Sequence, residues 1–208
     1  MATELLAERL LLREFCESDW RAVHAMLIDP AVTQYTPAGT SSEQESREAT
    51  RYLVNDRSND PPRHSFAITL RPLSGRSGKA NAEATAIGIC FLALPPDKPR
   101  QGDLGYLLDR RYWGRGYATE AARAVLRYGF QELNLHRIYA TCRPANVASW
   151  HVMEKLGMRR EGHLVQHRWM KGRWQDSYLY AILDHEWQDQ DRTATDGKRP
   201  RQACQVEE

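Results

Sequence analysis

The sequence is short of several things. Its 208 residues hold only four cysteines, and Cys16, Cys90, Cys142 and Cys204 stand far apart with no CxxC pair among them. That spacing argues against a disulfide framework or a zinc site and suits a reducing cytoplasm. No apolar run approaches the roughly 18–20 residues that a membrane span needs. The first twelve residues mix Glu4, Glu8 and Arg9 among the apolar ones, unlike a signal peptide. Charge of one sign is scarce too. The chain sets 29 Lys and Arg against 27 Asp and Glu, too even for the strongly basic face that nucleic acid demands. The expectation is a soluble, cytoplasmic protein with no metal, membrane or nucleic-acid partner.

What is present alternates between strand-like and helix-like segments. Arg9–Arg13 reads as a short buried strand. Trp20, Val23, Leu27 and Ile28 recur at helical spacing behind Ser18 or Asp19, and Pro30 stops them. Thr40 with Glu43 fits a capping box for a helix running to about Val54. Ser65–Leu70, Ala86–Leu94 and Asp103–Leu108 read as strands, with a mobile surface loop at about residues 71–84. Ala118–Leu133 carries an apolar stripe of helical period, and Arg137–Arg143 is a strand. Asn146–Leu156 is a helix closed by Gly157. Leu164–Met170 and Asp176–Leu183 flank a predicted hairpin connection over Lys171–Trp174. Residues 188–208 hold almost no apolar side chains and are expected to be a disordered tail. The whole reads as one α/β domain over residues 1–187.

The stretch Arg111–Glu120 carries the chemistry. It lies between a predicted strand and a predicted helix. Gly114 and Gly116 let backbone N–H groups approach a ligand closely, and the following helix start offers unpaired N–H groups and the positive end of its dipole. With Arg111 and Arg115 beside it, this is a phosphate or pyrophosphate site. It is neither a P-loop nor a dinucleotide fingerprint, since Thr119 stands where the latter needs its third Gly.

Arg111-x-x-Gly114-x-Gly116 resembles the acetyl-CoA motif of the GNAT family of N-acetyltransferases, Arg/Gln-x-x-Gly-x-Gly/Ala. The resemblance extends to Leu104-Gly-Tyr106, Trp113, Ala118–Ala121, Asn146–Ser149, Glu154–Gly157 and Gly172–Asp176, and covers about residues 9–187. It is strongest to the branch that acetylates ribosomal-protein N-termini. It implies a mixed, mostly antiparallel, splayed sheet of about seven strands with about four helices, and acetyl-CoA lying between the strands at Asp103–Leu108 and Arg137–Arg143.

The same resemblance implies roles for single residues. Leu107 and Leu108 would pair with the pantetheine arm like an added strand, and a backbone N–H near Leu107 would bind the developing oxyanion. Gly114, Arg115, Gly116, Tyr117 and Ala118 would hold the pyrophosphate, with Arg111, Trp113 and Thr119 also binding the cofactor. Asn146 suits either a pantetheine amide or a helix N-cap. Asp103 is the expected base, raised by a partly dry cleft, at a position where many relatives carry Glu. Many acetyltransferases use a Tyr seven residues after the motif Asn, but Met153 stands there. Ser149 stands where the ribosomal-protein branch has a Ser near the sulfur, and the resemblance makes it the expected acid, acting by a hydrogen bond to that sulfur. A Glu found in the penultimate strand of some relatives corresponds to Arg168. Tyr35, Trp169 and Trp174 could wall the acceptor slot, while Trp20 and these aromatics also suit partial core positions.

The implied reaction moves acetyl from acetyl-CoA to an amine by direct attack, with a protein or peptide N-terminal α-amine preferred as acceptor. The alternatives are a small amine (aminoglycoside, polyamine or amino-acid derivative) or a non-catalytic acyl-CoA sensor. An acidic slot for a polycation could draw on Glu14, Glu17, Asp29 and Asp103. His163 and His167 lack a third metal ligand. Relatives of this kind often form homodimers.

Overall fold

A computed structural model describes residues 3–58, 62–71 and 84–187. The expected loop at about 71–84 and the expected tail therefore fall almost wholly outside the described residues, as does Cys204. Among the described residues, eight strands form one sheet: β1 (Leu5–Leu6), β2 (Leu10–Arg13), β3 (Arg63–Leu70), β4 (Gly88–Ala93), β5 (Gln101–Leu108), β6 (Arg137–Cys142), β7 (Arg159–Met170) and β8 (Arg173–Leu183). Their order is β1-β2-β3-β4-β5-β6-β8-β7, and every pairing is antiparallel except β5 with β6. The strand beyond the expected seven is β1, a two-residue bridge to Leu11 and Leu12. The helices are α1 (Trp20–Leu27), α2 (Pro30–Thr33), α3 (Glu43–Val54), α4 (Tyr117–Gln131) and α5 (Val147–Lys155).

Strand alternation divides the core in two. Phe66, Ile68, Cys90, Leu92, Leu104 and Leu108 face one side, against Ala122, Val125 and Leu126 of α4, Met153 of α5 and Leu156 just after it. Ala67, Ile89, Phe91 and Leu107 face the other, against Val23, Met26 and Leu53 of α1 and α3. Met153 is thus core, which explains an apolar residue where a Tyr was to be compared.

Several boundaries differ from the sequence reading, and three of them have a local reason. The capping box of α3 is Ser42 with Glu45, two residues later than expected: the Glu45 carboxylate accepts from the Ser42 N–H at 2.7 Å and Ser42 Oγ from the Glu45 N–H at 3.3 Å. Both pairs satisfy the same i, i+3 pattern. Pro30 ends α1 but also opens α2 at its first position, with the Asp29 carboxylate accepting from the Ala31 N–H. The β7–β8 connection tightens to Lys171-Gly172, both at positive φ (52° and 75°), which brings Trp169 opposite Trp174. Positive φ at both central residues is the hairpin turn that suits twisted strands.

The corner between β2 and α1 holds a closed ion pair. Arg13 and Asp19 make two hydrogen bonds of 2.8 Å with side-chain exposures of 8% and 6%. Cys16 adds its N–H to the same carboxylate at 3.0 Å. Burial opposes the Asp19 charge, but Arg13 and the Cys16 N–H outweigh it and hold the carboxyl below its ordinary range.

Candidate active site

The site begins where two strands part. β5 and β6 pair in parallel only at Gln101–Arg137, Gly102–Ile138 and Asp103–Tyr139. Beyond Asp103, β5 has no strand on that side among the described residues, and its main chain is left to face a gap. Which groups face it follows from the ladder on the other side. The Asp109 N–H donates to the Ile87 carbonyl at 3.0 Å, and β4 pairs with β5 one residue to one. Main-chain direction alternates along an antiparallel ladder. Leu107 therefore turns its N–H and C=O into β4, and Tyr106 and Leu108 turn theirs to the gap. The gap-facing donors near Leu107 are thus the N–H groups of Tyr106 and Leu108 on either side of it. The Leu108 carbonyl is already occupied, accepting from the Trp113 indole at 2.9 Å.

The loop after β5 leads into α4. Gly114 and Gly116 both adopt left-handed backbone, at φ 73° and 79°, and Gly116 is the N-cap. Only glycine enters that region without strain. Trp113, Gly114, Arg115 and Gly116 are exposed, with Tyr117, Ala118 and Thr119 half-buried behind them. The first turn of a 15-residue helix thus stands open with unpaired N–H groups. A pyrophosphate fits this cradle. Arg111 is committed elsewhere, gripping Asp109 through Nη2 at 2.6 Å and Nε at 3.1 Å; this side-chain pairing holds Asp109 low and shapes the loop. A residue that sequence reasoning missed does more at the helix start. Arg9 binds Glu120 at 2.7 Å, donates to the Arg115 carbonyl at 3.0 Å and lies 4.7 Å over the Tyr117 ring. Its signal was hidden because Arg9 is 111 residues from Glu120.

Past the gap, Asn146 caps α5, its Oδ1 accepting from the Ser149 N–H at 3.3 Å. Ser149 is held from β5: the Tyr106 hydroxyl donates to the Ser149 carbonyl at 2.8 Å and lies 3.2 Å from Ser149 Oγ. Sequence reasoning saw Tyr106 only as part of a motif. Burial pushes its hydroxyl above the usual tyrosine range, so it keeps its proton. Cys142, at the end of β6, hydrogen-bonds with Ser149, and burial pushes its thiol up to about 11.

Asp103 is half-buried at the last paired position of β5. Burial raises its carboxyl, opposed by the positive charges of Arg168, Arg63 and Lys98. Asp103 and Leu107 lie on the α1/α3 face, while Tyr106 reaches the α5 face to meet Ser149. The structure therefore sets Asp103 and Ser149 at opposite sides of the gap.

Two further segments close in. The Tyr35 hydroxyl donates to the Ala145 carbonyl at 3.1 Å, and Lys171 of the hairpin turn donates to the Thr33 carbonyl at 2.8 Å. Trp169 and Trp174 stack edge to face at 5.6 Å but are 61% and 54% exposed, so they are surface residues rather than core. The acids considered for a polycation slot are dispersed. Glu14 pairs with Arg57, Asp29 caps α2, and Glu17 lies at the β2–α1 corner. His163 bonds Asp176 at 2.8 Å.

Comparison with known proteins agrees with this geometry. Residues 9–159 match the family described as the acetyltransferase (GNAT) domain. An uncharacterized N-acetyltransferase of Bacillus subtilis, YnaD, is 38% identical, covering 88% of this chain and 98% of its own. The crystal structure of a GNAT-family acetyltransferase from Bacillus anthracis superposes with a TM-score of 0.74 at 36% identity, covering 88% of this chain and all of that one. Acceptors differ among the neighbours. The ribosomal protein uS5-alanine N-acetyltransferase of Escherichia coli is 32% identical over 40% of this chain and 43% of its own. A Vibrio cholerae spermidine N-acetyltransferase, solved with CoA and spermine, has a TM-score of 0.69 at 25% identity, covering 86% and 98% of the two chains. Among the described residues, no helix is long and apolar enough to cross a membrane. The chain belongs to the GNAT acetyltransferase family and is an acetyl-CoA-dependent N-acetyltransferase.

Proposed function

We propose that this enzyme, a single domain over residues 1–187, passes the acetyl group directly to a primary α-amine at the end of a peptide or protein. The observation that carries this reading is the parting of β5 and β6 beyond Asp103, with a carboxylate on one side of the gap and a held serine on the other. Acetyl-CoA would lie along β5, its pyrophosphate on the α4 cradle and its pantetheine arm against the gap-facing main chain of Tyr106 and the N–H of Leu108, as an added strand does.

The residues divide the proton work. The acceptor ammonium must lose a proton before its nitrogen can attack. Asp103, shorter than a Glu by one methylene, takes that proton through a water. The new C–N bond forms as the C–S bond breaks. Charge growing on the carbonyl oxygen is met by a gap-facing N–H of Tyr106 or Leu108. Ser149, fixed by Tyr106 and Asn146, donates a hydrogen bond to the departing sulfur, which takes its proton from solvent. Cys142 supports direct transfer over a covalent relay, because a thiol raised to about 11 stays protonated and is a poor nucleophile at neutral pH.

A polyamine acceptor is the competing reading, prompted by the Vibrio cholerae spermidine enzyme. The positive charges around Asp103 count against it. Titration of acetyl-CoA against tryptophan fluorescence, with Trp113 as the exposed reporter, tests the first step. Thiol release across a panel of peptides and small amines tests the second. Absence of binding at millimolar acetyl-CoA would refute the proposal, and turnover of N-terminal peptides would support it.

A further inference from the structure

On the face of the sheet that carries Asp103, paired positions line up in one row: Arg63 on β3, Ala93 on β4, Asp103 on β5 and Tyr139 on β6. Residues directly opposite each other share a face, so these four stand over one floor. Ala93 leaves that floor low in the middle. The walls are cationic. The Arg63 guanidinium sits 4.2 Å from the centre of the Phe91 ring, and that ring can lie over β5 because Gly105 has no Cβ: one placed there would fall 2.2 Å from it. The Lys98 ammonium sits 5.0 Å from the centre of the Tyr139 ring. Arg168 arrives from β7, just after a bulge with Gln166 at φ 48°.

Arg63, Lys98 and Arg168 thus come from three separate elements and act electrostatically on one carboxylate. None of them forms an ion pair among the described residues. Among the described residues, the acids that act on this row are Asp103 itself and Asp97, which acts on Tyr139. His167 adds no charge, because burial, Arg168 and Lys98 all favour its neutral form. Three unpaired cations against two carboxylates leave the basin net positive. A polyamine, with its second and third positive charges, would be repelled, and an anionic group beside the reacting amine would be drawn in.

We infer that the natural acceptor carries a carboxylate close to its reactive amine, held by Arg168, Lys98 and Arg63 while Asp103 receives the ammonium proton. This inference rests on the acetyl-transfer reading above and on Asp103 marking the acceptor side. Two sources have this chemistry: a peptide with Asp or Glu at its first positions, and a free amino acid.

Four acceptors separate the possibilities in a thiol-release assay with acetyl-CoA: a hexapeptide beginning Asp-Glu, the same peptide beginning Asn-Gln, free glutamate, and spermidine. The acidic peptide or glutamate is expected to exceed the neutral peptide by about tenfold and spermidine by about a hundredfold in kcat/KM, roughly one charge-assisted contact per factor of ten. Whichever acidic acceptor is faster identifies the source. Arg168→Ala should cut the acidic-over-neutral preference by about tenfold, mainly through KM, and Arg168→Lys should restore most of it. Spermidine turned over as well as the acidic acceptors, or a preference unmoved by Arg168→Ala, would overturn the inference. If no acceptor is turned over, the acetyl-transfer reading fails separately. Calorimetry on the CoA-loaded protein then decides the charge claim: tighter binding of the acidic peptide than of spermidine upholds it, and equal or reversed affinity overturns it.

Discussion

Asp19 and Asp103 are both withdrawn from water, yet their surroundings push them in opposite directions. At the β2–α1 corner, Asp19 meets a guanidinium end-on at 2.8 Å and a backbone N–H at 3.0 Å, and its carboxyl is held low. At the gap, Asp103 feels three cations without touching any of them, and burial keeps its carboxyl high. A charge with its partner in contact is scaffold, whereas one with its partners at a distance can still exchange a proton. The two regions should therefore fail differently when altered.

The largest effect is expected at the corner. Asp19→Ala leaves the Arg13 charge buried and unpaired, at a cost of about 3–5 kcal/mol by the behaviour of broken buried pairs. Chemical denaturation would measure it, and a cost below about 1 kcal/mol would mean the corner is no more than a surface contact. The pH dependence has a definite sign. With its folded pKa lowered, Asp19 contributes stability above the unfolded carboxyl value of about 3.9, and that contribution is lost as pH falls through the folded value.

The next effect belongs to the gap. Gly116→Val forces a branched residue to φ 79° and covers the α4 cradle. Acetyl-CoA affinity should fall by about a hundredfold, with a strain cost of about 1–2 kcal/mol. Fluorescence titration reads the first and thermal unfolding the second. Unchanged affinity would move the pyrophosphate off α4.

The smallest effect sharpens the contrast most. A raised carboxyl pKa means that ionisation costs stability as pH climbs through the unfolded and then the folded value. Asp103→Asn removes that cost, so the melting temperature at neutral pH should rise by about 1–3 °C while activity falls. A matching fall in both would make Asp103 scaffold, like Asp19.

How much of this was legible beforehand follows the same division. Local patterns carried well. The Gly114-x-Gly116 loop, the Asn146 start and the Gly157 end of α5 are short-range chemistry, and the structure has them where the sequence put them. The α3 cap slipped by two residues because two overlapping boxes fit one pattern. Long-range meetings were not legible. Arg9 on Glu120, Tyr106 on Ser149 and Arg63 in one row with Asp103 arise from sheet pairing between distant segments. Which N–H groups near Leu107 face the gap has the same root, since the direction of a main-chain N–H depends on ladder parity, which no side-chain pattern records. Arg168 was visible as a departure from the family pattern, but only the fold brings its charge to Asp103.

The central claim is that Asp103 takes the proton. Its most direct test is the pH dependence of kcat/KM for the best acceptor, in the native enzyme and in Asp103→Asn. The native profile should lose activity as pH falls, with an acidic limb above the usual carboxylate range. The variant should lose that limb and run about 10²–10⁴-fold slower, the usual contribution of a positioned base. An acidic limb that persists unchanged in Asp103→Asn would contradict the account and place the base elsewhere.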